Sequence, residues 1–265
     1  MVRIAINGAA GRMGRRLVDL ISREHGMCVV AALETAGHPD LKKDAGELAG
    51  CSRIGLPVSE TWADSADVLI DFSSPAGLLA RLPEAVKHNC AVLVGTTGLG
   101  DHEKTELAHA ARHVPVLVAA NMSVGVNLLF RLVGEVAASL GPEYDIEIVE
   151  AHHRFKKDAP SGTALKLAEE IATATGRSLA KDVSYGRHGV SAERHHGEIG
   201  VHAVRAGDIV GDHTVTFCAM GERIEITHRA HTRDTFVRGA IRAARFLAGK
   251  KPGMYGMRDV LSGKC

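Results

Sequence analysis

The segment Glu150-Ala-His-His-Arg-Phe-Lys-Lys-Asp-Ala-Pro-Ser-Gly-Thr-Ala164 gathers two adjacent histidines, two lysines and a helix-start pattern into fifteen residues. Histidine has an ordinary pKa of about 6.5, close to working pH, which makes it the commonest proton donor at neutrality. Lys156 adds a permanent positive charge just beyond the pair. Asp158-Ala-Pro-Ser-Gly-Thr163 then runs into Ala164-Leu-Lys-Leu-Ala-Glu-Glu-Ile171, a helical pattern. The exposed first N–H groups of a helix hold carboxylate or phosphate, and Gly162 lets a ligand come close to the backbone. The combination suits a small anionic substrate that must receive a proton. Each part also has an ordinary use, since Ser161 or Asp158 can simply cap the helix and strand-end histidines and lysines are commonly solvated. Their concentration in one short loop is what singles the segment out.

The elements that must position these groups follow from the flanking pattern. Tyr144-Asp-Ile-Glu-Ile-Val-Glu150 alternates apolar and acidic residues, the mark of a β-strand with one buried face. His152 and His153 follow at its C-terminal end, and neighbours on an extended chain point to opposite sides, so one imidazole is expected to face a given ligand. The helix is expected over 163–175. A polar stretch, 181–198, is followed by strand-like runs at Ile199–Val204, His213–Ala219 and Arg223–His228, with turns at Gly207-Asp208 and Met220-Gly221. That order implies an α+β domain built on a mixed or antiparallel sheet.

The N-terminus carries a second constellation. Val2–Ile6 is a short apolar strand, Asn7-Gly-Ala-Ala-Gly-Arg-Met-Gly14 turns into a helix ending near Glu24, and Cys28–Leu33 is the next strand, closing with Glu34. This is the βαβ order of a dinucleotide fold with an acid 20 residues past Gly14. Gly8 would make the tight turn, Gly11 would let the backbone approach the pyrophosphate, Gly14 would allow close helix–strand packing and Glu34 would accept from a ribose hydroxyl, with Ala9, Ala10, Arg12 and Met13 completing the candidate cofactor-binding turn. The spacing is G-x-x-G-x-x-G, with Ala10 where the usual fingerprint has its second glycine. Further strands are expected at Asp67–Phe72, Ala91–Val94 and Pro115–Ala119, with helices from Pro75, over Asp101–Arg112 and over Ser123–Leu140. In an open parallel sheet ligands lie beyond the carboxyl ends of the strands. The turns Asp71–Ser74, Gly95-Thr96-Thr97 and Ala119-Ala120-Asn121-Met122 fall there and could line one nicotinamide cleft.

Length and composition agree with two modest domains. The chain has 265 residues, 45% of them apolar, and a formal net charge of +1. Such a balance gives no field favouring nucleic acid or an anionic membrane. Five cysteines (Cys28, Cys51, Cys90, Cys218, Cys265) show no C-x-x-C pairing and an odd count, which argues for thiols in a reducing cytosol. No apolar run approaches a membrane span, and the first residues form a strand instead of a leader, so a cytoplasmic location is expected. His188, His195, His196 and His202 lack metal-ligand spacing, and no metal site is expected. The fold class expected is α/β: a Rossmann-type parallel-sheet dinucleotide domain over 1–122, with 234–265 packing back on it, and a second α+β domain over 123–233. Thr235–Leu247 is the helix that would make that return.

Several of these motifs, in order, resemble one family, the dihydrodipicolinate (4-hydroxy-tetrahydrodipicolinate) reductases of the diaminopimelate route to lysine. They are Gly8–Gly14, Asp71-Phe72, Gly95-Thr-Thr-Gly98, Asn121-Met-Ser-Val-Gly-Val-Asn127, Glu150-Ala-His-His-Arg154 with Lys156, Asp158–Ala164, Arg205-Ala-Gly-Asp-Ile-Val-Gly211, and Gly221-Glu222 through Thr227-His228 to Arg233. The resemblance implies hydride delivery from NADH or NADPH to a ring carbon of a cyclic, unsaturated dicarboxylate and protonation of the neighbouring carbon. It makes His152 the proton donor and Lys156 a second donor or charge stabiliser, and gives the carboxylate clamp to His153, Ser161, Gly162, Thr163 and Arg233. It also implies that 123–233 is a substrate-binding and oligomerisation domain, joined through its sheets into a homotetramer and closing over the cofactor. Many relatives carry Arg after the ribose-binding acid where this chain has Thr35. Glu34 then favours a free 2′-hydroxyl, although Arg12 could reach a 2′-phosphate, and NADH is expected to serve at least as well as NADPH. Ser74 and Met122 replace the Arg and Phe of some relatives. Two other classes share the glycine turn: a non-catalytic nucleotide sensor, which has no need of the His152–Lys156–Thr163 constellation, and a semialdehyde-type dehydrogenase, whose acylated cysteine has no counterpart near His152 in sequence.

Overall fold

A computed structural model describes every residue except Asp64, Ser191, Lys264 and Cys265. The chain divides into two compact units, Met1–Val124 together with the chain from Asp234 onward, and Gly125–Arg233.

The first unit is a seven-stranded, wholly parallel sheet. Its strands are β1 (Val2–Asn7), β2 (Met27–Leu33), β3 (Val58–Ser59), β4 (Val68–Asp71), β5 (Ala91–Val94), β6 (Pro115–Val118) and β12 (Gly253–Tyr255). They lie in the order β12-β6-β5-β4-β1-β2-β3. The strand sequences explain the arrangement. Val68–Asp71 and Ala91–Val94 are buried along their whole length, as strands covered on both faces must be. Successive residues feed two different cores. Ile4, Ile6, Val68, Ile70 and Leu93 join α1 (Arg12–Ser22) and α8 (Asp234–Leu247) on one face. Ala5, Leu69, Val92 and Val94 join α3 (Pro75–Lys87) and α4 (Asp101–Ala110) on the other. Helix α8 is tied to α1 by a two-bond Arg16–Asp234 ion pair, at 3.0 and 2.7 Å.

Short elements not anticipated from the sequence complete this unit: α2 (Ala45–Ala49), β3, β12 and α9 (Met257–Ser262). The three-residue β12 pairs in parallel with Pro115–Leu117 and so extends the sheet edge.

The second unit is a five-stranded mixed sheet, β11-β10-β7-β9-β8, with β7 (Asp145–His152), β8 (Val183–Ser184), β9 (Ile199–Arg205), β10 (Gly211–Ala219) and β11 (Glu222–Ala230). Strands β8, β9 and β7 run parallel, and β10 is antiparallel to both β7 and β11. Part of the polar stretch 181–198 contributes the end of the short helix α7 (Leu179–Asp182) and strand β8. Helices α5 (Val124–Leu140) and α6 (Gly162–Thr175) cover one face through Leu129, Val133, Leu167 and Ile171, packed on Ile146, Ile148, Val215 and Phe217. On β7 that covered face continues past Ile148 to Glu150 and His152, while Val149 points outward at 39% exposure. The strand therefore exchanges an apolar inner face for a polar one at its C-terminal end, where the chemistry-bearing residues stand.

Candidate active site

In the first unit the parallel strands deliver every proposed cofactor residue to their carboxyl ends. Gly8 has φ +78°, and a Cβ there would sit 2.8 Å from the Phe72 carbonyl oxygen. Gly14 packs closer still, since a Cβ would fall 2.1 Å from the Gly8 oxygen. The amides of Gly8 and Ala9 both donate to the Leu33 carbonyl, each at 3.0 Å, which hooks the turn over the end of β2. Gly11 caps α1, and Arg12 is exposed beside it. Glu34 is nearly buried, its two oxygens accepting from the Ala10 amide (3.2 Å) and the Thr35 amide (3.1 Å).

Next along this end of the sheet, a polar knot ties together the turns expected at Asp71–Ser74 and Gly95–Thr97. Asp71, fully buried, accepts from Asn7 Nδ2 (2.6 Å), Ser73 Oγ and the Thr96 hydroxyl, while Thr96 Oγ1 accepts from the Ser73 amide (3.0 Å). Burial raises the Asp71 carboxyl pKa against the pull of those bonds. The knot fixes the Ser73 turn against Thr96, while Thr97 is exposed. Gly95 lies under the Phe72 ring, where a Cβ would stand 2.3 Å from a ring carbon. The Ala119 amide donates to Val94 O (3.0 Å), Asn121 Oδ1 accepts from the Ser123 amide (2.9 Å), and Met122 is buried against Gly239 of α8. Gly8 to Gly11, Glu34, Gly95 to Thr97 and Ala119 to Met122 thus lie on loops at the carboxyl end of one sheet, with Arg12 and Met13 opening α1.

In the second unit His152, 9% exposed, ends β7. Its Nδ1 is 2.6 Å from Glu150 Oε2, two residues back on the same face. Glu150 is fully buried and also accepts from the Ser161 amide (2.9 Å) and, bidentately, from Arg205 Nη1 and Nη2, both at 2.8 Å. Burial pushes the Glu150 carboxyl up, but the Arg205, His152 and Ser161 hydrogen bonds prevail and hold it below the ordinary range. Burial pushes the His152 imidazole below its ordinary value, and the hydrogen bond to Glu150 only partly opposes this. His213, across the ladder from Glu150 on β10, meets the His152 ring edge-on at 5.1 Å between centroids. Its Nε2 is 3.2 Å from Ser161 Oγ, and burial lowers its pKa to about 3, so the ring is neutral. Ser161 Oγ in turn accepts from the Ala164 amide (3.1 Å) and caps α6.

Around this core, Lys156 Nζ pairs with Asp158 at 2.9 Å, and that bond leads the causes lowering the Asp158 carboxyl. Gly162 opens α6 with nothing within 4 Å of where a Cβ would stand. Thr163 follows it, half-buried. His153 leaves the strand, its ring 6.3 Å from that of the exposed Phe155. Arg233 is different: it is exposed at the end of this unit, and no hydrogen bond or ion pair ties it to the cluster. The structure thus brings His152, Ser161 and the α6 start together through Glu150, Arg205 and His213, three residues the sequence offered only as parts of longer strings. The period-two spacing of Glu150 and His152 was the available signal. Among the described residues no group of three or more potential metal ligands occurs, and His202 is engaged by Glu147 at 2.7 Å.

Comparison with known proteins finds matches to both halves of the chain. The family model for the N-terminus of dihydrodipicolinate reductase matches residues 2–122, and that for the C-terminus matches residues 125–261. The 4-hydroxy-tetrahydrodipicolinate reductase of Citrifermentans bemidjiense is 49% identical over 264 residues, covering 98% of this chain and 99% of its own. That of Hahella chejuensis is 50% identical with the same coverage. A solved structure, the dipicolinate-bound dihydrodipicolinate reductase from a Paenisporosarcina species, shares the fold at a TM-score of 0.74 and 23% identity, covering 97% of each chain. With both halves matched in order and half the residues shared over nearly the full length, the chain belongs to the dihydrodipicolinate reductase family.

Proposed function

We propose that the chain reduces 4-hydroxy-tetrahydrodipicolinate, as an NAD(P)H-dependent step of diaminopimelate and lysine biosynthesis, with His152 as the proton donor. The observation that carries this reading is the buried His152 at the end of β7, its Nδ1 held by Glu150. A base on Nδ1 leaves Nε2 as the atom that takes and gives a proton.

The residues of the first unit suit a dinucleotide: the Gly8–Gly14 approach leaves no room for side chains, and Glu34 faces the turn. Gly8, Ala9, Ala10, Gly11, Arg12 and Met13 would hold the pyrophosphate, Glu34 the ribose, and Gly95, Thr96, Thr97 and Ala119 to Met122 the nicotinamide end. Loss of the 4-hydroxyl as water leaves the ring with the unsaturation to be reduced, and the reduced nicotinamide, when bound, would supply a hydride to one of its carbons. His152 Nε2 gives a proton to the neighbouring atom, so the ring gains both and His152 is left neutral.

The second unit's groups answer the substrate's charge. Two carboxylates call for convergent donors: Lys156 and Arg233 would supply cations, Gly162 and Thr163 helix-start N–H groups, and His153 and the Ser161 side chain further polar contacts, the Ser161 amide being engaged by Glu150. His152 lies below its ordinary pKa in the free protein, mainly through burial. A dianion beside it favours the imidazolium, so substrate binding brings in the proton that is later delivered. Lys156, paired with Asp158, is a local source of charge that can be exchanged to a substrate carboxylate.

The same reading includes a cytosolic setting, for which free thiols at Cys28, Cys51, Cys90 and Cys218 are suited. It also includes a homotetramer formed through the uncovered face of the second unit's sheet, where Val149 and Val204 are exposed.

The deciding experiment follows cofactor oxidation at about 340 nm, where reduced nicotinamide absorbs. The substrate is made in the cuvette from pyruvate and aspartate semialdehyde by a purified synthase. Substrate-dependent loss of absorbance is expected; none with either cofactor, in protein shown to bind nucleotide, overturns the reading.

A further inference from the structure

Glu150 is shared by His152 and the start of α6. Its Oε2 takes the His152 Nδ1 bond (2.6 Å) and its Oε1 takes the Ser161 amide (2.9 Å), while Arg205 bridges both oxygens at 2.8 Å. Arg205 Nη2 also donates to the Asp158 carbonyl, in the loop that leads into α6. With no exposure and three established donors on its two oxygens, this carboxylate is held as the anion, so its fourth contact, with His152 Nδ1, calls for an N–H there.

We infer that Glu150 and Arg205 are positioning residues for His152: Glu150 fixes its proton on Nδ1 and so reserves Nε2 for the substrate, while Arg205 keeps that carboxylate from holding the imidazolium too firmly. This rests on the reductase reading for its kinetic consequences, not for its geometry.

The two residues have opposing tasks. A lone buried carboxylate on Nδ1 would stabilise imidazolium so well that Nε2 became a poor donor. The bidentate guanidinium offsets that charge, leaving a hydrogen bond that selects the tautomer with little net field. Nε2 lies close over Gly211, where a Cβ would stand 3.0 Å from it, so the missing side chain leaves that nitrogen room. The other groups facing His152 do not replace this control. His213 on β10 is neutral, with His228 of β11 behind it, and Ser161 points its hydroxyl at His213. Lys156, in the loop after β7, carries its own counterion in Asp158.

The arrangement also binds two functions to one atom pair. If Glu150 moves, the donor loses its tautomer and the Ser161 amide loses its acceptor together. Donor geometry and the carboxylate clamp are thereby kept in register.

The test begins on the unliganded wild-type protein. Nitrogen NMR of labelled histidines, with His152 identified by its loss in His152→Gln, should show the proton on Nδ1 and a bare Nε2 above the ring's pKa. A proton resident on Nε2 overturns the inference without any variant being made. Glu150→Gln should then mix the tautomers and lower the His152 pKa, since Arg205 remains as an uncompensated cation. Its turnover should fall about tenfold or more, with the alkaline limb of the kcat profile displaced to lower pH. Arg205→Met should displace that limb to higher pH, and Arg205→Lys should lie between Met and wild type. Displacement in opposite directions is not a result that loosened packing produces. Identical tautomer and titration in Glu150→Gln and wild type overturn the inference. If no variant or wild type turns over the substrate but the NMR responses appear, the reductase reading fails and the positioning assignment stands.

Discussion

The Glu34 carboxylate reaches across from the end of β2 to the Ala10 amide, 3.2 Å away, so the nucleotide turn carries a fixed negative charge. Its other oxygen accepts from the Thr35 amide, and among the described residues no side-chain cation pairs with it; Arg81 nearby donates to its main-chain carbonyl. An anion in that position accepts from a ribose hydroxyl and repels a 2′-phosphate. NADH should therefore match or exceed NADPH in kcat/KM, and a tenfold or greater preference for NADPH would show the expectation to be wrong. Glu34→Gln, which keeps the shape and removes the charge, should move the ratio toward NADPH by about tenfold.

His152 belongs to the second unit, whereas Gly8 to Met13 and Glu34 lie in the first. Replacing His152 by Ala should therefore leave nucleotide affinity nearly intact while turnover falls roughly 10²–10⁴-fold. Fluorescence titration with NADH and steady-state rates on the same preparation separate the two effects. Undiminished turnover would remove His152 from the proton transfer and leave a different group to be found.

Why some of this could be read along the chain, and some not, follows from how each feature is encoded. The buried strands Val68–Asp71 and Ala91–Val94 announce themselves as apolar runs because both faces are covered. Pro75 marks the start of α3 because its missing N–H costs nothing there, with Ser74 as the cap. By contrast Gly253–Tyr255 is a strand only because β6 offers a free edge, and Val58–Ser59 only because β2 does. Local pattern carries no information about such edges. At the site, Glu150 and His152 share a face by period two, which is a local fact. Arg205 and His213 reach them through register, Arg205 opposite His152 and His213 opposite Glu150. Those pairings join positions more than 50 residues apart, and nothing in the spacing records them. The burial of Glu150 beside an exposed Val149 reverses what side-chain polarity alone suggests. Arg205 makes that reversal affordable in electrostatic terms by giving the buried anion a bidentate partner.

The neutral His213 makes the second unit sensitive to acid. Its folded pKa of about 3 lies below the value of about 6.5 expected in an unfolded chain. Between these limits the unfolded chain holds a proton that the folded one does not, so stability rises with pH across the window. It is fully present above about 6.5 and is lost as pH falls toward 3. His152 and His228 are lowered in the same direction, burial being the first cause in each, and add to the slope. Urea midpoints measured from about pH 6.5 down to pH 5 should therefore fall, ahead of carboxylate titration. His213→Gln, which can still meet Ser161 Oγ, should flatten that slope; an unchanged slope would mean that His213 takes up no proton on unfolding.

Two glycines differ sharply in what a methyl group would do, and the contrast separates scaffold from site. At Gly14 a Cβ meets the Gly8 oxygen at 2.1 Å and the Ala9 Cα at 2.6 Å, both backbone atoms that cannot swing aside. Gly14→Ala must push α1 off the turn, with a cost of about 1–3 kcal/mol or more and loss of nucleotide binding. At Gly162 nothing lies within 4 Å, and the residue is the first of α6, where alanine is well tolerated. Gly162→Ala should fold with an unaltered melting temperature and an unaltered KM for NADH. If a substrate carboxylate approaches the α6 start, the same methyl group occupies its path and KM for the dicarboxylate should rise by about tenfold or more. Parallel thermal melts and initial-rate series on the two variants would read all of these quantities. An unchanged KM for the dicarboxylate in Gly162→Ala would place the carboxylate elsewhere, and the clamp would then fall to His153, Lys156 and Arg233 without the help of the helix.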